Sequence, residues 1–280
     1  MLIADSQVHV WAAPSPEHPW PPGLHEPHRP VPLGTDDLLR EMDAAGVDRA
    51  VLIPPTWDGG RNDLALAAAK ALPDRFAVMA RVDGRKPGAR EVIDDLRRQP
   101  GMLGLRFSFV RRPQDKAMLS DGSLDWLWAY AEESAMPVMM MVAPPQLHIV
   151  DGIAQRHPGL RLVMDHLSRH GGKDEAAFGD LDKLLALARL PNVAVKASAL
   201  PAHTADEYPY RRVFPYIRRA YDAFGPQRVF WGTDLSKLPC TYRQAVTMFT
   251  EEIPWLTQDD KEWIMGRGLC EWLGWKLPQA

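Results

Sequence analysis

The chain has 280 residues, 46% of them apolar and 25% charged, with a formal net charge of −3. That length suits one α/β barrel of roughly 250 residues, and the apolar share supports a large core rather than disorder. The slight negative charge argues against a basic nucleic-acid face, no apolar run reaches the roughly 20 residues of a membrane span, and no leader is expected at the N-terminus.

In chain order, residues 2–4 (LIA) read as strand one, trailed by the segment DSQVHVW with Gln7 and His9. Residues 12–33 form a proline-rich loop, long enough for a lid. Its histidines, His18, His25 and His28, are expected to face solvent, with a place lining the mouth as the lesser reading. Thr35 is expected to cap an amphipathic helix with Leu38, Leu39, Met42 and Ala45 on one face, ending at Gly46. Strand two is 50–53, leading to Thr56 and Trp57, and Asn62 is expected to cap the next helix. Strand three is 76–82, with Arg81 and Asp83 at its end, and strand four is 103–107, with Arg106 and Ser108.

Ser123 opens a helix that Pro137 stops. Strand five, 138–142, offers no ionisable side chain; its methionines read as core, with Met141 as a soft pocket wall. His157 marks a helix end. Strand six, 160–164, leads to Asp165 and His166. One helical stretch, DEAAFGDLDKLLALARL, precedes strand seven, 193–197, which carries Lys196 and leads to Ser198. His203, further on, reads as an ordinary side chain, with a place in the pocket as the lesser reading. A helix expected to be kinked near its middle by Pro215 precedes strand eight, 229–231, and Asp234 follows. Thr257 and Asp260 form a capping-box pattern at the start of the last helical stretch.

Apolar strand runs alternating with helices imply parallel strands joined by right-handed crossovers. Eight such units predict an α/β fold, a single (β/α)8 TIM barrel spanning 1–280 as one domain. An open doubly wound sheet is the rival, but DSQVHVW is no glycine-rich phosphate turn.

In a barrel, chemistry sits at the C-terminal strand ends. His9, Arg106, His166, Lys196 and Asp234 come from five different strands and would meet at one mouth. Single charges inside apolar runs, as in AVKAS and GLRFS, are costly unless paired or used. Trp11, Trp57 and Trp231 read as packing residues that can also pave a pocket. Cys240 and Cys270, two and far apart, read as reduced thiols of a cytoplasmic protein. A homodimer is entertained, although no residue pattern fixes the assembly.

Several segments together resemble the amidohydrolase superfamily, in its amidohydrolase-related branch of lactonases and decarboxylases. IADSQVHVW is similar to the opening Asp-x-His-x-His, GLRFS to the strand-four Gly-x-Arg, and LRLVMDHLSR to the strand-six Asp-His. NVAVKASAL resembles strand seven, RVFWGTDLSKLP the strand-eight Gly-Thr-Asp, and GRGLCEWLGW the C-terminal tail. The likeness covers nearly the whole chain. It implies a hydrolase acting on a small molecule, similar to sugar lactonases and to 2-pyrone-4,6-dicarboxylate lactonases, which work without metal. Metal-dependent members use both strand-one histidines, and here Gln7 takes the place of the first. Gln is a weak neutral donor for zinc. His9, His166 and Asp234 remain as ligands for a single divalent ion such as zinc or manganese, but no required cofactor is expected.

The expected activity is opening of a lactone, or a related cyclic ester or amide, bearing a carboxylate. Asp234 would be the general base, and His9 and His166 would polarise the carbonyl. Arg106 and Lys196 would bind the substrate carboxylate, with Gln7, Ser198 and Trp57 also touching substrate. Non-oxidative decarboxylation of an unsaturated or aromatic acid is one alternative. A catalytically silent partner subunit of a related enzyme is the other.

Overall fold

The computed structural model describes residues 1–22, 27–169 and 171–278; His25 lies outside them. Eight parallel strands run in chain order around one sheet: β1 (Ala4–Val8), β2 (Arg49–Leu52), β3 (Phe76–Ala80), β4 (Met102–Ser108), β5 (Val138–Met141), β6 (Leu162–Met164), β7 (Val193–Ser198) and β8 (Val229–Gly232). Helices alternate with them, which makes the chain a nearly closed (β/α)8 barrel.

Side chains alternate between the two faces of each strand, and this period of two builds the interior in layers. The lower layer is apolar: Val51, Met79, Met139, Val163, Ala194 and Phe230 pack with Leu269, Cys270 and Leu273 of the C-terminal helix Gly268–Leu273, which plugs the barrel floor. Two residues further on, Lys196 stands above Ala194 on β7, and Asp165, just past the end of β6, stands above Val163. The charge in AVKAS is therefore a rung of the interior above an apolar floor. A second, larger apolar cluster fills the space between the strands and the helices.

The seam between β1 and β8 is made differently from the other seven junctions. The Asp5 carboxylate accepts from the backbone N–H of Thr233 at 2.9 Å, from Tyr242 Oη at 2.8 Å, and from the Thr233 hydroxyl. Above it, the Asp234 N–H donates to the Gln7 carbonyl at 3.0 Å. Gly232 makes the approach possible, since a Cβ there would fall 2.2 Å from Ser6 Oγ.

Several local expectations change. Strand one runs from Ala4 to Val8, so Asp5, Ser6 and Gln7 are buried strand residues instead of a trailing loop. Thr35 is the first helical residue of Thr35–Ala45 and Gly34 holds the cap position. Asn62 does sit at the cap of Asp63–Ala71, but its side chain makes no cap bond and is spent on the backbone of Arg81. Ser123 precedes the cap residue Leu124 of Asp125–Glu133. Pro215 lies in the first turn of Phe214–Phe224, where no N–H is needed, so it starts a helix without kinking it. The stretch before β7 breaks into Glu175–Phe178, Asp182–Leu185 and Ala186–Arg189. The Thr257–Asp260 capping box is present with both reciprocal bonds, and Gly46 ends its helix in the left-handed conformation.

Candidate active site

At the C-terminal strand ends lies a cavity of about 420 Å³. Gln7 and His9 enter it from β1, Trp57 from the loop after β2, Arg106 from β4, His166 from the turn after β6, and Asp234 from the turn after β8. His166, Leu167 and Ser168 have φ of 52°, 47° and 60°, and Asp234 has 54°. Left-handed backbone at a non-glycine residue costs on the order of 1–3 kcal/mol and persists where surrounding contacts over-determine it. Here it turns two strand ends sharply enough to aim an imidazole and a carboxylate into one space.

The hydrogen bonds fix the chemistry of each group. Lys196 Nζ donates to Gln7 Oε1 at 3.0 Å, so the Gln7 amide presents its Nε2–H to His166 Nε2, 3.1 Å away. His166 thus accepts on Nε2 and donates from Nδ1 to Ser198 Oγ at 2.8 Å. It is a neutral imidazole, and burial, working against the nearby charges of Asp234 and Asp165, lowers its pKa to about 4. His9 donates from Nδ1 to the Ile53 carbonyl at 2.6 Å, which turns Nε2 toward Asp234 Oδ1 at 3.1 Å. His166 Nε2 is 3.8 Å from the other oxygen, Oδ2. Burial raises the Asp234 pKa, but His9 beside it, by hydrogen bond and charge, outweighs that and holds the carboxyl well below the usual range.

Beneath the cavity floor Lys196, fully buried, pairs with Asp165 Oδ1 at 2.8 Å, and Arg106 Nε pairs with Oδ2 at 3.0 Å. Burial alone would raise the Asp165 pKa; the two cations outweigh that and keep it ionised. Lys196 and Ser198 were expected to touch substrate. They stand behind the wall, Lys196 bonded to Gln7 and Ser198 to His166. Gln7, His9, Trp57, Arg106, His166 and Asp234 do line the cavity, and so does Met141.

His28 takes the lesser of its two expected places, at the mouth instead of in solvent. It lines the cavity, its ring meets Trp57 edge-on at 4.9 Å between centroids, and its Nδ1 lies 3.1 Å from Ser236 Oγ. Burial lowers its pKa to about 4. His18 is exposed, as expected. His203 is buried outside the cavity wall, its pKa lowered to about 4, first by burial. Trp11 and Trp231 are core residues. The cavity also takes in Arg81, Arg111, Arg169 and Lys237. Arg111 and Lys237 sit three residues beyond a β4 or β8 landmark, and extending the strand-end rule by one turn of loop would have found them.

These lowered imidazole pKa values set a pH dependence of stability. The unfolded chain takes up each proton first, so stability falls as the pH drops from about 6.5 toward 4. His166 and His203 each contribute up to about 3 kcal/mol to that loss. The depressed carboxyls of Asp165 and Asp234 act in the same direction at lower pH. Asp5, raised to about 6 mainly by burial, acts oppositely and offsets part of it. Thermal melts followed by circular dichroism should show Tm falling steeply across this window. A Tm constant from pH 7 to 4 contradicts the buried neutral imidazoles.

A tight zinc site needs three or four protein donors roughly 2 Å from the ion. Nε2 of His166 is already taken by the Gln7 amide. Among the described residues no group of three His, Cys, Asp or Glu side chains is arranged to hold an ion. His9 and Asp234 alone do not make such a centre, so the donor set does not fit tetrahedral zinc.

An eight-stranded barrel with His, His and Asp converging from strands one, six and eight defines a hydrolase-like site at a TIM-barrel mouth, and the chain belongs to the amidohydrolase family, whose family model matches residues 4–267. It is similar to L-fucono-1,5-lactonase from Burkholderia ambifaria, 30% identical over 82% of this chain and 79% of that one. It is also similar to 4-sulfomuconolactone hydrolase from Hydrogenophaga intermedia, at 25% identity over 82% of this chain and 73% of the relative. The fold matches a Burkholderia multivorans amidohydrolase solved with bound zinc, with a TM-score of 0.82 and 21% identity over 99% of this chain and 100% of the other. No helix among the described residues is long and apolar enough to cross a membrane.

Proposed function

We propose that this protein is a lactonase: it hydrolyses a cyclic ester of a small acidic molecule with water activated by Asp234. The observation that carries the reading is the ionised Asp234 carboxylate, set between His9 and His166 in a cavity large enough for one small ring. Its lactonase relatives support the same reaction class.

Asp234 takes a proton from a water molecule as the water oxygen bonds to the lactone carbonyl carbon. The carbonyl oxygen, gaining charge, is met by Arg106, whose Nε is held by Asp165 and whose outer nitrogens make no hydrogen bond among the described residues, while His9, bonded to Ile53, holds the base in place. Gln7, fixed by Lys196, occupies Nε2 of His166 and keeps the ring neutral, so His166 stands beside Asp234 without competing for the proton. When the ring C–O bond breaks, the leaving alkoxide takes the proton back from Asp234, and the product is an open hydroxy acid. This reading routes no step through a metal. The free thiols Cys240 and Cys270 support a reducing, cytoplasmic setting.

A panel of five- and six-membered lactones, with and without a carboxylate, run on the purified single chain tests this. Turnover is expected without added metal and is expected to survive prolonged chelation. Activity lost on chelation and restored by zinc or manganese would overturn the metal-free reading. Release of carbon dioxide without ring opening would replace lactonase by decarboxylase.

A further inference from the structure

A second cavity, of about 490 Å³, abuts the catalytic one and shares Thr56, Arg81, Arg106, Ser108 and Arg111 with it. Arg81 stands at the junction. Its backbone is clamped on both sides by Asn62, which accepts from the Arg81 N–H at 2.8 Å and donates to the Arg81 carbonyl at 2.9 Å. Its stem runs under Gly60, at φ +72°, where a Cβ would come within 3.2 Å of Arg81 Cδ. The residue is therefore held in place with care, yet its Nη1 is shut off from solvent and has no hydrogen-bond partner among the described residues.

The carboxylates whose charge reaches Arg81 are all engaged elsewhere. Asp165 serves Lys196 and Arg106, Asp115 serves Arg112 at 2.7 Å, and Asp58 accepts from the Gly60 N–H at 3.1 Å. Burial first, and then the like charge of Arg106, lower the Arg81 pKa to about 9, so the group is still cationic at neutral pH. A positioned, half-buried cation with no counter-ion among the described residues is a cost to the fold that a ligand's negative charge would relieve. Guanidinium, with its planar fork of donors, suits a carboxylate or another oxyanion.

We infer that Arg81 is the specificity-determining residue for an anionic substituent on the substrate, which extends from the lactone ring at Asp234 toward the second cavity. The inference rests on the lactonase reading, and it moves the task of substrate charge recognition from Lys196 to the far side of Arg106.

The test compares a γ-butyrolactone bearing a carboxymethyl group with its carboxamide analogue, in the wild type and in Arg81→Met. The ratio of kcat/KM for the anionic over the neutral lactone is expected to fall about a hundredfold in the variant, mostly through KM. Methionine keeps the stem and deletes the unpaired charge, so the variant is expected to melt at a higher temperature than the wild type. A scaffolding arginine gives the opposite result: lower Tm and an unchanged ratio, which overturns the proposal. Calorimetric titration with glutarate separates the two readings. Glutarate binding weakened by Arg81→Met without any lactone turnover keeps the anion site and sinks the lactonase. Turnover with an unchanged ratio and unchanged glutarate binding does the reverse.

Discussion

Replacing Asp234 by asparagine is expected to lower kcat by roughly 10²–10⁴-fold while leaving the fold intact, the range for loss of a positioned general base. The argument is geometric. Asp234 is the one carboxylate lining the cavity among the described residues, and its neighbours keep it ionised over the whole working pH range. Asparagine preserves the shape and the backbone bond from residue 234 to the Gln7 carbonyl. It removes the basic oxygen that faces His9. Because the carboxyl titrates so low, the acid limb of kcat in the wild type should not report a pKa near 4 from this group. Steady-state kinetics on the best lactone of the panel, beside thermal melts, separate the outcomes. Retention of most of kcat would remove Asp234 from the role of base.

Asp165→Asn is expected to have the largest effect on stability, about 3–5 kcal/mol. The carboxylate stands between two cations, Lys196 and Arg106, with no exposure to solvent. Neutralising it leaves both charges buried in a low-dielectric layer directly above an apolar floor. Lys196 then has no carboxylate partner, only neutral amide oxygens, so the orientation of Gln7 and with it the neutral state of His166 are weakened too. Urea titrations measure the loss. Adding Lys196→Met to Asp165→Asn should recover part of it, because the second change removes an orphaned charge. If the double variant is less stable than the sum of its parts, the ion pair is not the reason Asp165 matters.

The barrel was legible because seven of its strands are apolar runs, and the strand-end rule then named His9, Arg106, His166 and Asp234. Strand one was misplaced for a physical reason. Asp5, Ser6 and Gln7 are polar yet buried, and the partners that satisfy Asp5 and Gln7 lie as far away as Thr233, Tyr242 and Lys196. No local pattern announces such partners. Lys196 was recognised as anomalous in an apolar run, but its use could not be read from the run. Whether a cation on a barrel strand points at substrate or at a neighbouring carboxylate depends on its layer, and the layer depends on register. His28 was hidden for a different reason: it lies in a proline-rich loop with no periodicity, and only the fold brings it against Trp57.

The seam between the first and last strands has a consequence for how this molecule can fail. Asp5 clasps Thr233, and immediately above it residue 234 bonds to residue 7. The clasp that closes the ring also seats Asp234, the proposed base, beside Gln7 and His9. Any fluctuation that parts the two ends of the sheet must carry Asp234 away from its partners at the same moment. Integrity of the closure and competence of the centre are thus a single property, gained together when the ends of the chain meet and forfeited together when they part.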